Sequence, residues 1–169
     1  MMGETERIIE GLKKAMQAEV DGHNFYKMAA NSTEDEMGKE TFNSLAEDEV
    51  EHFKFLKAQY DSFKANGKPD TKAKLTRPSE LAESPIFSEN FKERLHDAHY
   101  EMTALSVGIQ LELSSIQFYK SESEKARDAT VRRFYKELAD WETEHHRRLL
   151  KQQQELTEDY WQAGNFYPF

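Results

Sequence analysis

Two stretches of this chain, Leu45–Leu56 (LAEDEVEHFKFL) and Leu138–Leu149 (LADWETEHHRRL), lie 93 residues apart and align without a gap. The same register reaches back into the segments before them. Leu12, Gln17, Glu19, Phe25, Tyr26 and Lys27 fall on Leu105, Gln110, Glu112, Phe118, Tyr119 and Lys120. A chain made of two copies of one unit has few ways to bury its apolar surface. The copies pack on each other with pseudo-twofold symmetry, and whatever one copy points inward appears twice around a common centre.

The unit is helical. Apolar residues recur at spacings of three and four from end to end. The pattern predicts helices over about 4–30 and from Ser32 or Thr33 to about Ala65, with Glu36 completing a capping box. Two more are predicted from Ser88 to about Lys125 and from an Asp128 cap to about Leu156. Asn66-Gly67-Lys68-Pro69 breaks the second helix, and residues 66–87 hold three of the four prolines and no sustained period. Short turns make antiparallel hairpins of the first and second helices and of the third and fourth. A connection of about twenty residues can run the length of a bundle. The expectation is therefore an all-α, ferritin-like four-helix bundle of two helical hairpins joined by one long crossover. It spans residues 1–158, followed by an aromatic tail, 159–169 (DYWQAGNFYPF), expected to pack on the bundle or on a second subunit.

The buried stripes carry an anomaly. They read Leu12, Met16, Glu19, His23, Tyr26; Phe42, Leu45, Glu49, His52, Leu56; Leu105, Ile109, Glu112, Ile116, Tyr119; and Tyr135, Leu138, Glu142, His145, Leu149. Every helix places a glutamate in mid-stripe, and two of them place Glu-x-x-His. No lysine or arginine shares these faces. Four buried, unpaired carboxylates would cost many kcal/mol, whereas two divalent cations would neutralise them. A glutamate from each of two helices plus Glu-x-x-His from each of the other two is the ligand pattern of carboxylate-bridged dinuclear centres. Carboxylate and imidazole donors suit iron or manganese. Glu19, Glu49, His52, Glu112, Glu142 and His145 are the candidate ligands.

In these paired Glu…Glu-x-x-His halves and this long crossover, the chain resembles the rubrerythrin-like branch of the ferritin-like superfamily over nearly its whole length. It resembles a member without the rubredoxin-type domain, since it has no cysteine from which to build an iron–thiolate centre. The resemblance implies two iron ions, with manganese as the alternative. Glu19 and Glu112 would bind one metal each, Glu49 and Glu142 would bridge, and Tyr26 and Tyr119 would donate hydrogen bonds to ligand carboxylates. It implies an oxidoreductase that reduces peroxide or dioxygen with electrons from a separate donor such as a rubredoxin, and a homodimer. Iron binding or ferroxidase chemistry is the alternative. One position departs from the pattern: peroxide-reducing members carry a further glutamate one turn after the third helix's ligand, and Ser115 stands there, followed by Ile116.

Other features narrow the possibilities. A formal charge of −9 without a basic stripe argues against nucleic acid. No apolar run is long enough to span a bilayer, and MMGETERIIEGL does not read as a signal peptide, so a cytoplasmic location is expected. A third Glu-x-x-His, Glu93-x-x-His96, has no mate in the repeat and reads as surface, as do His99 and His146. His23 reads as a core histidine with an extra ligand role as the alternative. Glu47, Asp48, Glu51, Asp140 and Glu144 lie off the stripes as solvated faces from which some could orient a ligand histidine.

Overall fold

The computed structural model describes residues 3–76 and 84–163. Its elements in order are α1 (Glu4–Ser32), α2 (Glu36–Asn66), a single turn α3 (Glu89–Lys92), a 3-10 turn (Leu95–Asp97), α4 (His99–Lys125) and α5 (Ala129–Ala163). The described residues contain no strand. α1 packs on α2, α4 on α5, and α1 on α4, giving the two-hairpin, all-α bundle. No described helix is long and apolar enough to cross a membrane.

The apolar residues form two clusters. One contains Tyr26, Phe42, Leu45, Leu105, Ile109 and Leu149. The other contains Leu12, Leu56, Tyr119, Tyr135 and Leu138. Along each long helix the mid-stripe glutamate lies between a member of one cluster and a member of the other. The polar layer is thus enclosed from both ends of the bundle.

The boundaries differ from the sequence expectation in four places. α1 continues to Ser32, which leaves Ser32 and Thr33 at its end and unable to start α2. Asp35 caps α2 instead, accepting from the Gly38 amide at 2.9 Å. The Thr33 hydroxyl accepts from the Asp35 amide at 3.2 Å and donates to Glu101 at 3.1 Å. Asp35 also accepts from the Ser88 amide at 3.1 Å and from its hydroxyl, pinning the far end of the crossover. Gly38 is required beside it, because a Cβ there would lie 2.7 Å from the Phe87 ring.

The third predicted helix is broken rather than continuous. Between Ser88 and Ala98 the backbone closes i→i+3 bonds, including Phe91 to Ser88, Arg94 to Phe91 and Asp97 to Arg94. This tightening lets Phe91 stack on Phe87 at 4.3 Å, with Phe87 edge-on to Phe42, so the segment folds over the core. α2 ends as expected, with Gly67 in the left-handed region at φ 70°. Asp128 starts α5, accepting from the Thr130 amide at 2.7 Å. α5 then runs past Leu156 to Ala163, since nothing before Gly164 interrupts it. Asp159–Ala163 is therefore helix rather than tail. The tail residues 164–169, crossover residues 77–83 and the side chain of His96 lie outside the described residues.

Candidate metal centre

The six candidate ligands converge. Glu19, Glu49, His52, Glu112, Glu142 and His145 come from α1, α2, α4 and α5, and none is more than 6 % exposed. Their atoms fall into two groups, Glu19–Glu49–His52–Glu142 and Glu49–Glu112–Glu142–His145, each with its candidate donor atoms within 4.8 Å of one another. Glu49 and Glu142 belong to both.

The geometry around the histidines shows how the sharing works. His52 Nδ1 lies 3.1 Å from Glu142 Oε1, 3.4 Å from Glu19 Oε2 and 3.6 Å from Glu49 Oε2. His145 Nδ1 lies 3.1 Å from Glu142 Oε2, 3.6 Å from Glu112 Oε1 and 3.9 Å from Glu49 Oε1. Each of the two shared carboxylates turns one oxygen to each histidine, while Glu19 serves only the His52 end and Glu112 only the His145 end. His52 Nδ1 and Glu142 Oε1 are buried without a hydrogen-bond partner despite their 3.1 Å approach. Orphaned polar atoms aimed at one point are costly in a protein interior. A cation at that point would satisfy both, so this donor set fits a pair of divalent ions.

Two tyrosines cross between the halves. Tyr26 donates to Glu112 Oε1 and Tyr119 to Glu19 Oε1. Each hydroxyl thus holds the singly used carboxylate of the opposite copy: Glu19 keeps Oε2 toward His52, whereas the Oε1 of Glu112 that Tyr26 holds also faces His145. Burial, and then the neighbouring Glu112 or Glu19 charge, pushes both phenols well above their usual range, so they stay protonated donors.

Without metal the cluster must hold protons. Burial, then the charge of Glu142, raises Glu49 and raises Glu112 to about 8. Burial also opposes the ionisation of Glu142, but His52 and His145 outweigh it and hold that carboxyl below its ordinary value. Burial disfavours the imidazolium forms of His52 and His145, yet the surrounding carboxylates win and raise both. Among the described residues no lysine or arginine is buried to share this task.

The model of the rubrerythrin family matches residues 10–152, a span that contains all six converging residues and both tyrosines. The chain belongs to the rubrerythrin family. No curated protein and no solved structure matches it.

Other polar residues of this rubrerythrin-family chain are placed elsewhere. His23 is half-buried, with its Nδ1 2.9 Å from the Ala46 carbonyl oxygen, and lies outside both groups. His99 is exposed and His146 half-buried, also outside both groups. Glu51, Asp140 and Glu144 pair with Lys54, Lys136 and Arg147 on the surface, and Glu47 is exposed. Asp48 differs from these: its Oδ2 accepts from His145 Nε2 at 3.1 Å. It is the member of those five off-stripe acids that reaches a candidate ligand histidine. Sequence reasoning missed Trp141, T-shaped to His52 with ring centroids 5.7 Å apart, and Gly22, where a Cβ would lie 3.3 Å from the Glu49 carboxyl carbon. The repeat register held the signal for both, since Trp141 falls on Asp48 and Ser115 on Gly22.

Proposed function

We propose that the cluster holds two iron ions and that the protein is a non-haem di-iron oxidoreductase reducing peroxide or dioxygen with electrons from a separate donor, such as a rubredoxin. The observation that carries this reading is the sharing of Glu49 and Glu142, each with one oxygen toward each histidine. Four carboxylates balance two divalent charges and leave the imidazoles neutral. Manganese fits the same donors. An iron pair would supply one electron per ion, enough with two protons to turn hydrogen peroxide into two waters.

The chain's own residues provide access and orientation. A cavity of about 260 Å³ opens between α1 and α4 and is lined by Gly22, Tyr26, Glu49, Glu112, Ser115 and Phe118. It leads from the surface to two of the candidate ligands and suits a small oxidant. Gly22 keeps this side of Glu49 clear. Tyr26, on the cavity wall, fixes Glu112 through its hydroxyl. No cysteine in this sequence could build an iron–thiolate relay, so the reading draws its electrons from a separate donor.

Ser115 lines the cavity wall where the resemblance puts a further glutamate in peroxide-reducing members, and this favours a second reading, iron oxidation by dioxygen without peroxide turnover. One experiment separates the two. Anaerobic, ferrous-loaded protein is mixed rapidly with hydrogen peroxide or with dioxygen, and the ferric absorbance is followed. Faster oxidation by peroxide, repeated on re-reduction, is expected. Oxidation by dioxygen alone would support ferroxidase chemistry, and inertness to both would make the ions structural. Ser115→Leu should narrow the cavity and slow oxidation roughly tenfold, equivalent to about 1.4 kcal/mol of added barrier, without changing metal content. An unchanged rate would mean that the oxidant enters elsewhere.

A further inference from the structure

The repeat makes the two ends of the cluster comparable position by position, and they are not equivalent. At the His145 end, Nε2 donates to Asp48 Oδ2 at 3.1 Å. Arg148 carries its positive charge within electrostatic reach of that carboxylate, with Nη2 3.4 Å from the Thr41 hydroxyl. The register puts Trp141 where Asp48 stands and Phe55 where Arg148 stands. Accordingly the His52 and Trp141 rings lie T-shaped with centroids 5.7 Å apart, and Phe55 is 7 % exposed and T-shaped to Phe134. Both of these charged positions are aromatic in the other half.

This difference acts on the metal-facing atom. A carboxylate that accepts the outer N–H of an imidazole fixes its tautomer and ring orientation, directs the Nδ1 lone pair inward and makes the ligand more basic. A tryptophan ring confines the imidazole sterically but offers no carboxylate to accept its N–H. Building on the two-metal reading, we propose that the centre is graded. The ion held by Glu49, Glu112, Glu142 and His145 binds first and more tightly, with Asp48 as its positioning residue. The ion at the Glu19–His52 end binds second and exchanges more readily. The shared Glu49 and Glu142 couple the steps, because the first ion orders two of the carboxylates that the second needs.

The test is an anaerobic titration of the metal-free full chain with cobalt(II), followed by visible absorption and by competition with a chelator. Wild type should fill in two resolved steps. Asp48→Ala should weaken the tight step by about 10–100-fold, the usual effect of removing such a partner, and leave the loose step nearly unchanged. Asp48→Asn, which keeps an acceptor without the charge, should fall between. Trp141→Phe should leave the tight step intact. A merely structural loosening would weaken both steps alike. Two ions filling in one unresolved step, or an Asp48→Ala variant that alters neither step or both equally, would overturn the grading. Failure to bind cobalt(II) at all by a folded wild-type chain would overturn the two-metal reading itself.

Discussion

Glu142→Ala is expected to strip both metal ions from the chain, whereas Glu19→Ala should release only one. The asymmetry follows from the oxygens. Glu142 turns Oε1 to His52 and Oε2 to His145, both at 3.1 Å, so its loss removes a donor from each group. Glu19 belongs to the His52 group alone. Losing the metals also removes their stabilisation of the fold, about 4 kcal/mol where free metal is a thousandfold above Kd. At 2–4 °C per kcal/mol for a chain of this size, the melting temperature should fall by on the order of 10 °C. Elemental analysis and thermal melts of the two variants beside wild type check this. Equal losses in both variants would contradict the sharing of Glu142.

The metal-free protein should lose stability as pH rises from about 6 to 8, and metal should reverse that trend. Glu49 and Glu112 have folded-state pKa values raised above the ordinary 4.5, Glu112 to about 8. Above pH 4.5 the native state therefore keeps protons that the unfolded chain has released, and stability falls as pH rises. His52 and His145 are raised above 6.5. Their contribution is full below 6.5 and is lost as pH climbs through the folded values, which has the same sign. Glu142 is shifted downward, so its effect lies below pH 4.5, outside this window. Each group that stays protonated contributes a slope of up to about 1.4 kcal/mol per pH unit. Metal competes with these protons, so its affinity rises with pH and the loaded protein gains where the metal-free protein loses. Melts at pH 6, 7 and 8, with metal and with chelator, measure both trends. A metal-free protein that grows more stable over this range would refute the proton-holding account.

These expectations depend on how much of the centre could be read from sequence. The six converging residues were legible because a repeat and a period coincide. Glu49 and Glu142 occupy the same place in two copies, each followed by a histidine on a stripe otherwise apolar, and burial without counter-charge points to a bound cation. The crossing of Tyr26 to Glu112 and Tyr119 to Glu19 follows once the halves are related by a twofold. Asp48 was visible only as one acid among many on a helix surface. Its contact with His145 joins residues far apart in sequence, and nothing local marks it. The break between Lys92 and His99 escaped because Phe91, Leu95 and Ala98 continue the apolar period of α4, and a period cannot distinguish a helix from a run of i→i+3 turns. The cap of α2 was misplaced because Thr33 and Asp35 are both good caps, and the choice depended on where α1 stopped.

The most direct measurement is the metal content of the wild-type chain, purified without oxygen from iron-replete cells. The account predicts about two iron atoms per chain, the stoichiometry of a carboxylate-bridged pair. A folded chain with no bound iron or manganese would contradict it, because the buried carboxylates would then be neutralised by protons alone.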